Sequence, residues 1–290
     1  MVPAKGKGRA EASGGGGNPA AEKAAQKNSG KGKEAANRSE KPAGEDDRFM
    51  KTGIDGFDKL MEKGIPKGSD VLIAGGAGSG KTIMCLQILA NAARNGKKCL
   101  YMSFEESEVR LKSHMEDFGW NPFKLEKKGN LMIKRLSSYE IARSVEALLA
   151  KERGDLLIDI EPVILPPGFK PEIIVIDSLS SISSYFVGRA EQYRSYIEQL
   201  FRYFERLGTT SFLIAETKQI PETFSPTGVE EFLADGVVVL YNIRKGDVRE
   251  NAIEILKLRG AKHLKKIVAM QIVEKEGIVI YPEQEVFGGL

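Results

Sequence analysis

The chain has 290 residues, a net charge of +3, 41% apolar and 29% charged residues, the make-up of an ordinary globular protein of one or two domains. No apolar run approaches the ~18 residues that span a bilayer, and the N-terminus lacks the apolar core of a secretory signal, so neither membrane insertion nor export is expected. Two cysteines and two histidines are too few for a disulfide framework or a histidine-based zinc site, which suggests buried thiols and a cytoplasmic location, and so small a net charge does not argue for nucleic acid.

Residues 1–47 contain no Ile, Leu, Phe, Tyr or Trp. Such a segment cannot bury enough apolar surface to offset its ordering entropy and is expected to be disordered. Its lysines and arginines outnumber its acids until Glu45-Asp46-Asp47. A basic arm of this kind suits a nucleic-acid or membrane surface, or is a solvated tail, and the lack of interleaved aromatics counts against stacking on single strands. Order is expected from Arg48, giving one domain over 48–290. A short helix over 52–61 packs Ile54, Phe57 and Leu60, and a turn over 64–68 leads into the apolar strand Val71-Leu72-Ile73-Ala74.

The next eight residues, Gly75-Gly76-Ala77-Gly78-Ser79-Gly80-Lys81-Thr82, have the spacing G-x-x-x-x-G-K-[ST] between that strand and an apolar helix, which is the pattern of a phosphate-binding P-loop. Glycines let successive backbone N–H groups approach an anion without Cβ obstruction, and the helix beyond adds the positive end of its dipole. Lys81 is placed to reach the β- and γ-phosphates of ATP, and the Thr82 hydroxyl to ligate Mg²⁺. A dinucleotide fingerprint fits poorly, because the third glycine of Gly76-Ala77-Gly78-Ser79-Gly80 falls one residue early and Lys-Thr follows it.

Downstream, a strand over 98–104 carrying Cys99 ends on Glu105-Glu106, a helix covers 107–118, and 118–122 forms a turn in which Trp120 packs. A short strand over 131–133 and a helix over 139–151 follow. The prolines of 156–170 exclude helix there and suggest an edge strand or hairpin insertion. The apolar run over 171–178 stops at Asp177, and a strand ending in a carboxylate downstream of a P-loop can complete the Mg²⁺ shell beside Thr82. An amphipathic helix over about 190–207, a strand over 210–216, and four short strands over 236–242, 251–259, 267–273 and 277–281 finish the chain. The expected fold is three-layer α/β with a mostly parallel central sheet and a C-terminal antiparallel hairpin extension.

These motifs resemble the KaiC family of RecA-like ATPases, grouped with RadA-like archaeal ATPases, from about Arg48 to the C-terminus. The resemblance rests on Thr52-Gly53-Ile54-Asp55-Gly56-Phe57-Asp58, Ser103-Phe104-Glu105-Glu106, Phe118-Gly119-Trp120, Val175-Ile176-Asp177-Ser178, Gly228-Val229-Glu230-Glu231-Phe232 and Leu256-Lys257-Leu258-Arg259-Gly260, which fall in the family's order. It implies a RecA-type core that assembles into rings, commonly hexamers, with ATP at subunit interfaces. Glu105 and Glu106 match the paired glutamates that supply the water-activating base. Lys257 and Arg259 match a Lys-x-Arg pair that reaches the neighbouring subunit's γ-phosphate, and alternation along a strand sends both to one side. The family's autophosphorylated Ser-Thr pair corresponds to a position near Glu230-Glu231, which have no hydroxyl, so no autokinase activity is expected there.

Three functional classes follow. The first is a Mg²⁺-dependent ATPase ring that regulates a protein partner. The second is a recombinase-like ATPase on single-stranded DNA, disfavoured because the acidic segment 220–232 (Glu222, Glu230, Glu231) would repel phosphates. The third is an ATP-binding switch with negligible turnover.

Overall fold

Uninterrupted aliphatic runs form strands buried on both faces, and such strands need helices on either side. The computed structural model describes residues 46–137, 143, 145–147, 150, 165–219 and 221–286. After a small antiparallel pair, β1 (Phe49–Met50) with β2 (Ile65–Pro66), come β3 (Asp70–Gly75), β4 (Cys99–Ser103), β5 (Leu131–Arg135), β6 (Ile173–Asp177), β7 (Thr210–Glu216) and β8 (Gly236–Lys245). These six lie parallel in the order β5-β4-β6-β7-β3-β8. Beyond β8 the sheet continues antiparallel through β9 (Val248–Leu258), β10 (Val268–Val273) and β11 (Gly277–Glu285). The expected mixed sheet is therefore present, with its extension on one edge.

Two apolar layers flank it. On one side α1 (Asp55–Asp58), α2 (Lys81–Arg94), α3 (Glu108–Asp117) and α4 (Pro122–Lys127) contribute Phe57, Leu86, Leu111 and Leu125 to a core shared with Tyr101 and Trp120. Trp120 is a packing residue, stacked on Phe118 at 4.8 Å. On the other side α5 (Leu179–Ser183), α6 (Ala190–Leu207) and α7 (Val229–Leu233) pack Ile182, Tyr193, Ile197, Leu200 and Phe204 against the sheet. Cys85 and Cys99 are free and buried, and burial pushes the Cys99 thiol up to about 12.

Three helices depart from the expectations. A helix, not only a turn, starts at Pro122, capped by Asn121 Oδ1, which accepts from Lys124 N at 3.2 Å; α5 and α7 are likewise unanticipated. Of the helix expected over 139–151, residues 143, 145–147 and 150 are helical and the rest lie outside the described residues. The insertion expected over 156–170 is outside them up to 164, and 165–170 form a turn rather than a strand. Of the expected tail, 1–47, residues 1–45 also lie outside, while Asp46 and Asp47 are described and pair with Arg48 and Lys67.

One long-range clamp fixes the P-loop helix. Gln87 Oε1 accepts from Ile278 N at 2.7 Å, and Gln87 Nε2 donates to the carbonyls of Glu276 and Ile278 at 3.3 Å each. Glycine is required at 277, where φ is 92° and a Cβ would lie 2.6 Å from both Gln87 Oε1 and Trp120 Cζ2. The hairpin β10–β11 is thus strapped onto α2.

Candidate nucleotide site

In an open parallel sheet, ligands bind beyond the carboxyl ends of the strands, where the strand order reverses. Here β7 and β6 lie between β3 and β4, so the ends of β3, β7, β6 and β4 border one cleft of about 360 Å³. The segment 75–82 forms one wall. Gly75 is pressed on its neighbour, where a Cβ would sit 2.5 Å from the Leu240 carbonyl, and Gly80 turns into α2 at φ 96°. Lys81 is 8% exposed and donates to Gly76 O at 3.0 Å. Burial lowers its proton affinity, and the carboxylates of Glu216, Asp177 and Glu105 pull the other way. Ser79 is fully buried and does not line the cleft, and its Oγ, against Gly75, has no hydrogen-bond partner.

Opposite lies Asp177 at the end of β6. Its Oδ2 accepts from Tyr101 OH at 2.5 Å and from Thr82 Oγ1 at 3.2 Å. Burial pushes the carboxyl up to about 6 against these two donors and Lys81. A hydroxyl and a carboxylate side by side next to a phosphate cradle are the oxygen donors that Mg²⁺ uses, the rest of its octahedron being water and phosphate. The residues present fit Mg²⁺-nucleotide.

Glu105 and Glu106 leave β4 through a turn in which Ser103 Oγ accepts from both backbone N–H groups, at 3.3 and 2.9 Å. Their side chains then diverge. Glu105 Oε1 accepts from Ser178 Oγ at 2.8 Å and Ser181 Oγ at 3.1 Å. Glu106 Oε2 faces Arg110 Nε at 3.2 Å and His114 Nε2 at 3.1 Å. Both glutamates border the cleft, as does Glu216 at the end of β7.

Lys257 and Arg259 are elsewhere. Leu258 pairs with Gly236, which pairs with Val71 at the start of β3, whereas the P-loop leaves the other end at Gly75. The separation along the strand exceeds about 13 Å at ~3.3 Å per residue. Lys257 Nζ donates to the carbonyls of Glu231, Phe232 and Ala234 at 3.1, 3.2 and 2.5 Å, and Arg259 to those of Phe232 and Leu233 at 3.0 and 3.2 Å. Both cations thus gather at the C-terminal end of α7, whose carbonyls attract positive charge. Burial, then Arg259, lowers the proton affinity of Lys257.

Two acids of the segment 220–232 also serve the fold. Glu230 is fully buried, accepting from Tyr193 OH at 2.5 Å and Thr227 Oγ1 at 2.9 Å, and half-buried Glu231 accepts from Phe224 N at 2.5 Å.

A family model described as "ATPase: KaiC" matches residues 50–285. The chain belongs to the KaiC ATPase family. It is 36% identical over 233 residues to the circadian clock protein KaiC3 of Synechocystis, covering 80% of this chain but 45% of that one. It is 33% identical over 244 residues to the UPF0273 protein of Thermotoga maritima, covering 81% of this chain and 96% of that one. The crystal structure of a KaiC-like protein from Pyrococcus horikoshii superposes with a TM-score of 0.66 at 30% identity, covering 81% of this chain and 99% of that one. This KaiC-family chain therefore spans less than half of the clock protein and nearly all of the shorter relatives.

Sequence reasoning missed several residues of this KaiC-type cleft. Tyr101 holds Asp177 from the middle of an apolar strand. Ser178 caps α5, accepting from Ser181 N at 3.4 Å while donating to Glu105; the run Ser178-Leu179-Ser180-Ser181 was the available signal. Gln219 donates to Ala77 O at 3.0 Å and Asn242 to Gly78 O at 3.1 Å, bracing the P-loop from the loop after β7 and from within β8, positions that no linear motif marks.

Proposed function

We propose that the chain is a Mg²⁺-dependent ATPase that assembles head to tail into a homo-oligomeric ring, a hexamer by the family resemblance, and that its nucleotide state regulates a protein partner in the cytoplasm. The observation that carries this reading is the division of the site. Gly75 to Thr82, Asp177 and the glutamate pair converge on one cleft, while Lys257 and Arg259 sit at the far end of the same sheet, beyond reach of it. Surfaces that complement each other but lie on opposite ends of a molecule associate head to tail and form a ring when the rotation between neighbours closes.

In this reading the P-loop and Lys81 hold the triphosphate, and Thr82 and Asp177 hold Mg²⁺. Bound there, Mg²⁺ supplies charge neutralisation at the β- and γ-phosphate oxygens. Glu105, with one oxygen fixed by two serine hydroxyls, presents the other to water. That water attacks the γ-phosphorus, its proton passes to the carboxylate, and the bond from the γ-phosphorus to the bridging oxygen breaks to release ADP and phosphate. The neighbour's Lys257 and Arg259 meet the charge that develops on the γ-phosphoryl group.

Light scattering with and without Mg-ATP, paired with turnover, tests this reading. Assembly on Mg-ATP is expected, and Glu105→Gln is expected to lose roughly 10²–10⁴-fold in turnover, the worth of a general base. A monomer that hydrolyses ATP at the wild-type rate would sink the ring, and an undiminished Glu105→Gln the base assignment.

We also expect no autokinase activity near α7. The hydroxyls of Ser225 and Thr227 donate to Glu231 and Glu230, at 3.3 and 2.9 Å, and those glutamates replace the family's acceptor hydroxyls. Incubation with γ-labelled ATP should leave no stable label; label on a peptide spanning 224–228 overturns this.

A further inference from the structure

We infer that His114 is a positioning residue of the hydrolysis site: its ring fixes the aim of the Glu106 carboxylate, and its protonation sets how fast the site turns over. The inference rests on the ATPase reading above and adds a control that the family motifs do not mark. Glu105 and Glu106 are adjacent in sequence but are held by different chemistry. The partners of Glu105, Ser178 and Ser181, are hydroxyls whose charge does not change with pH. Glu106 Oε2 is shared between Arg110 Nε at 3.2 Å and His114 Nε2 at 3.1 Å. Positions 106, 110 and 114 are spaced four apart, so the three side chains stack along one face of α3 and the turn leading into it.

The two partners are not equivalent. The Arg110 side chain is 71% exposed and keeps its charge at every relevant pH, whereas that of His114 is 38% exposed and borders the nucleotide cleft. Imidazole is the side chain whose charge ordinarily changes between roughly pH 5 and 8. Of the other charged groups, Lys112 of α3 pairs with Glu126 of α4 and Lys134 of β5 with Glu108, while Lys81 from α2, Glu105 beside Glu106, Asp177 from β6 and Glu216 from β7 border the same cleft as His114. Carboxylates outnumber cations there, so a proton on His114 changes the balance at the wall where the terminal phosphate lies.

An imidazolium draws Glu106 Oε2 against α3 and lowers the basicity of the neighbouring carboxylates, which slows proton removal from water. The same charge favours the polyanionic nucleotide. Asp177, at about 6 in the same cleft, titrates in every variant, so relative to a protein that is neutral at position 114 acidification should lower kcat and lower KM together, a split that a purely structural role would not produce.

The test measures kcat, KM and equilibrium binding of a fluorescent ATP analogue across this pH range for the full chain and for His114→Gln, His114→Asn and His114→Lys. The wild type should show a step of roughly two- to fivefold in kcat and in affinity, the range given by a partly exposed charge pair. The glutamine and asparagine variants should lose that step and keep only the pH dependence that Asp177 contributes, the lysine variant should hold its low-pH ratio to them throughout, and Glu106→Gln should abolish the difference between wild type and His114→Gln. Melting curves identify any variant that is unfolded, and either neutral variant suffices. A full step retained in a folded neutral variant overturns the role of His114 and leaves the ATPase reading standing. Absence of turnover in the wild type removes the ATPase reading, and the pH step in analogue binding then still decides whether His114 charges the cleft.

Discussion

Arg259→Ala is expected to lose about 10³–10⁵-fold in turnover, the worth of a cation that meets the transferring phosphoryl group, while its own P-loop should still take up Mg-ATP. The reason is geometric. Arg259 cannot serve the cleft of its own chain, because it lies at the level of Val71 while the phosphate cradle begins at Gly75. In the isolated chain it is held by α7 carbonyls and by Asp235, at 3.5 Å, so its loss also removes a modest stabilising contact. Melting curves separate that cost from the catalytic one. The decisive measurement mixes two inactive proteins. Lys81→Ala keeps the cation pair but lacks the phosphate grip; Arg259→Ala keeps the grip but lacks the cation. In mixed rings about one seam in four joins an intact cleft to an intact cation, and activity should return on mixing. No recovery, or an Arg259→Ala protein as fast as wild type, places the cation pair outside the mechanism.

The second large effect concerns stability and lies away from the cleft. Asp70 opens β3 with its carboxyl inside the sheet, 6% exposed, accepting from Ser211 Oγ. Burial pushes it up to about 7, and the nearby charges of Asp235 and Glu205 act in the same direction. An unfolded aspartate titrates near ~4, so between ~4 and ~7 the folded state keeps a proton that the unfolded state has released. Stability contributed at this site is therefore full below that window and falls as pH rises through it, by about 4 kcal/mol at the upper end. The Asp70→Asn variant retains an acceptor for Ser211 but cannot ionise. Its melting temperature should gain on the wild type as pH rises, by roughly 5 °C or more at pH ~8 relative to pH ~4.5, at about 2–4 °C per kcal/mol for a domain of this size. Parallel pH profiles for the two proteins would remove Asp70 as the titrating group.

The middle of the parallel core was legible because β3, β6 and β7 are largely apolar stretches that stop at a glycine or an acid. The strand expected over 210–216 coincides with β7, and the run ending at Asp177 with β6. The short helices were not. Five or six residues carry barely one turn of periodicity, so Leu179–Ser183 and Val229–Leu233 offer no stripe to read. Their caps were nonetheless in view: Asn121 before Pro122, and Ser178 before Leu179. At the site, residues that belong to linear motifs could be named in advance. Tyr101, Gln219, Asn242 and Glu216 could not, because they are brought to the P-loop or its Asp177 by strand order, Asn242 by the pairing of β8 with β3 and the others by the insertion of β7 and β6 between β3 and β4, a fact of topology with no local signature.

The strap from Gln87 to Ile278 joins positions 191 residues apart. On a ribosome the amino-terminal end emerges first, so the phosphate motif must wait for a hairpin made long after it to hold its helix. In a nascent chain the helix behind the phosphate motif thus lacks this brace until the last hairpin has been synthesised.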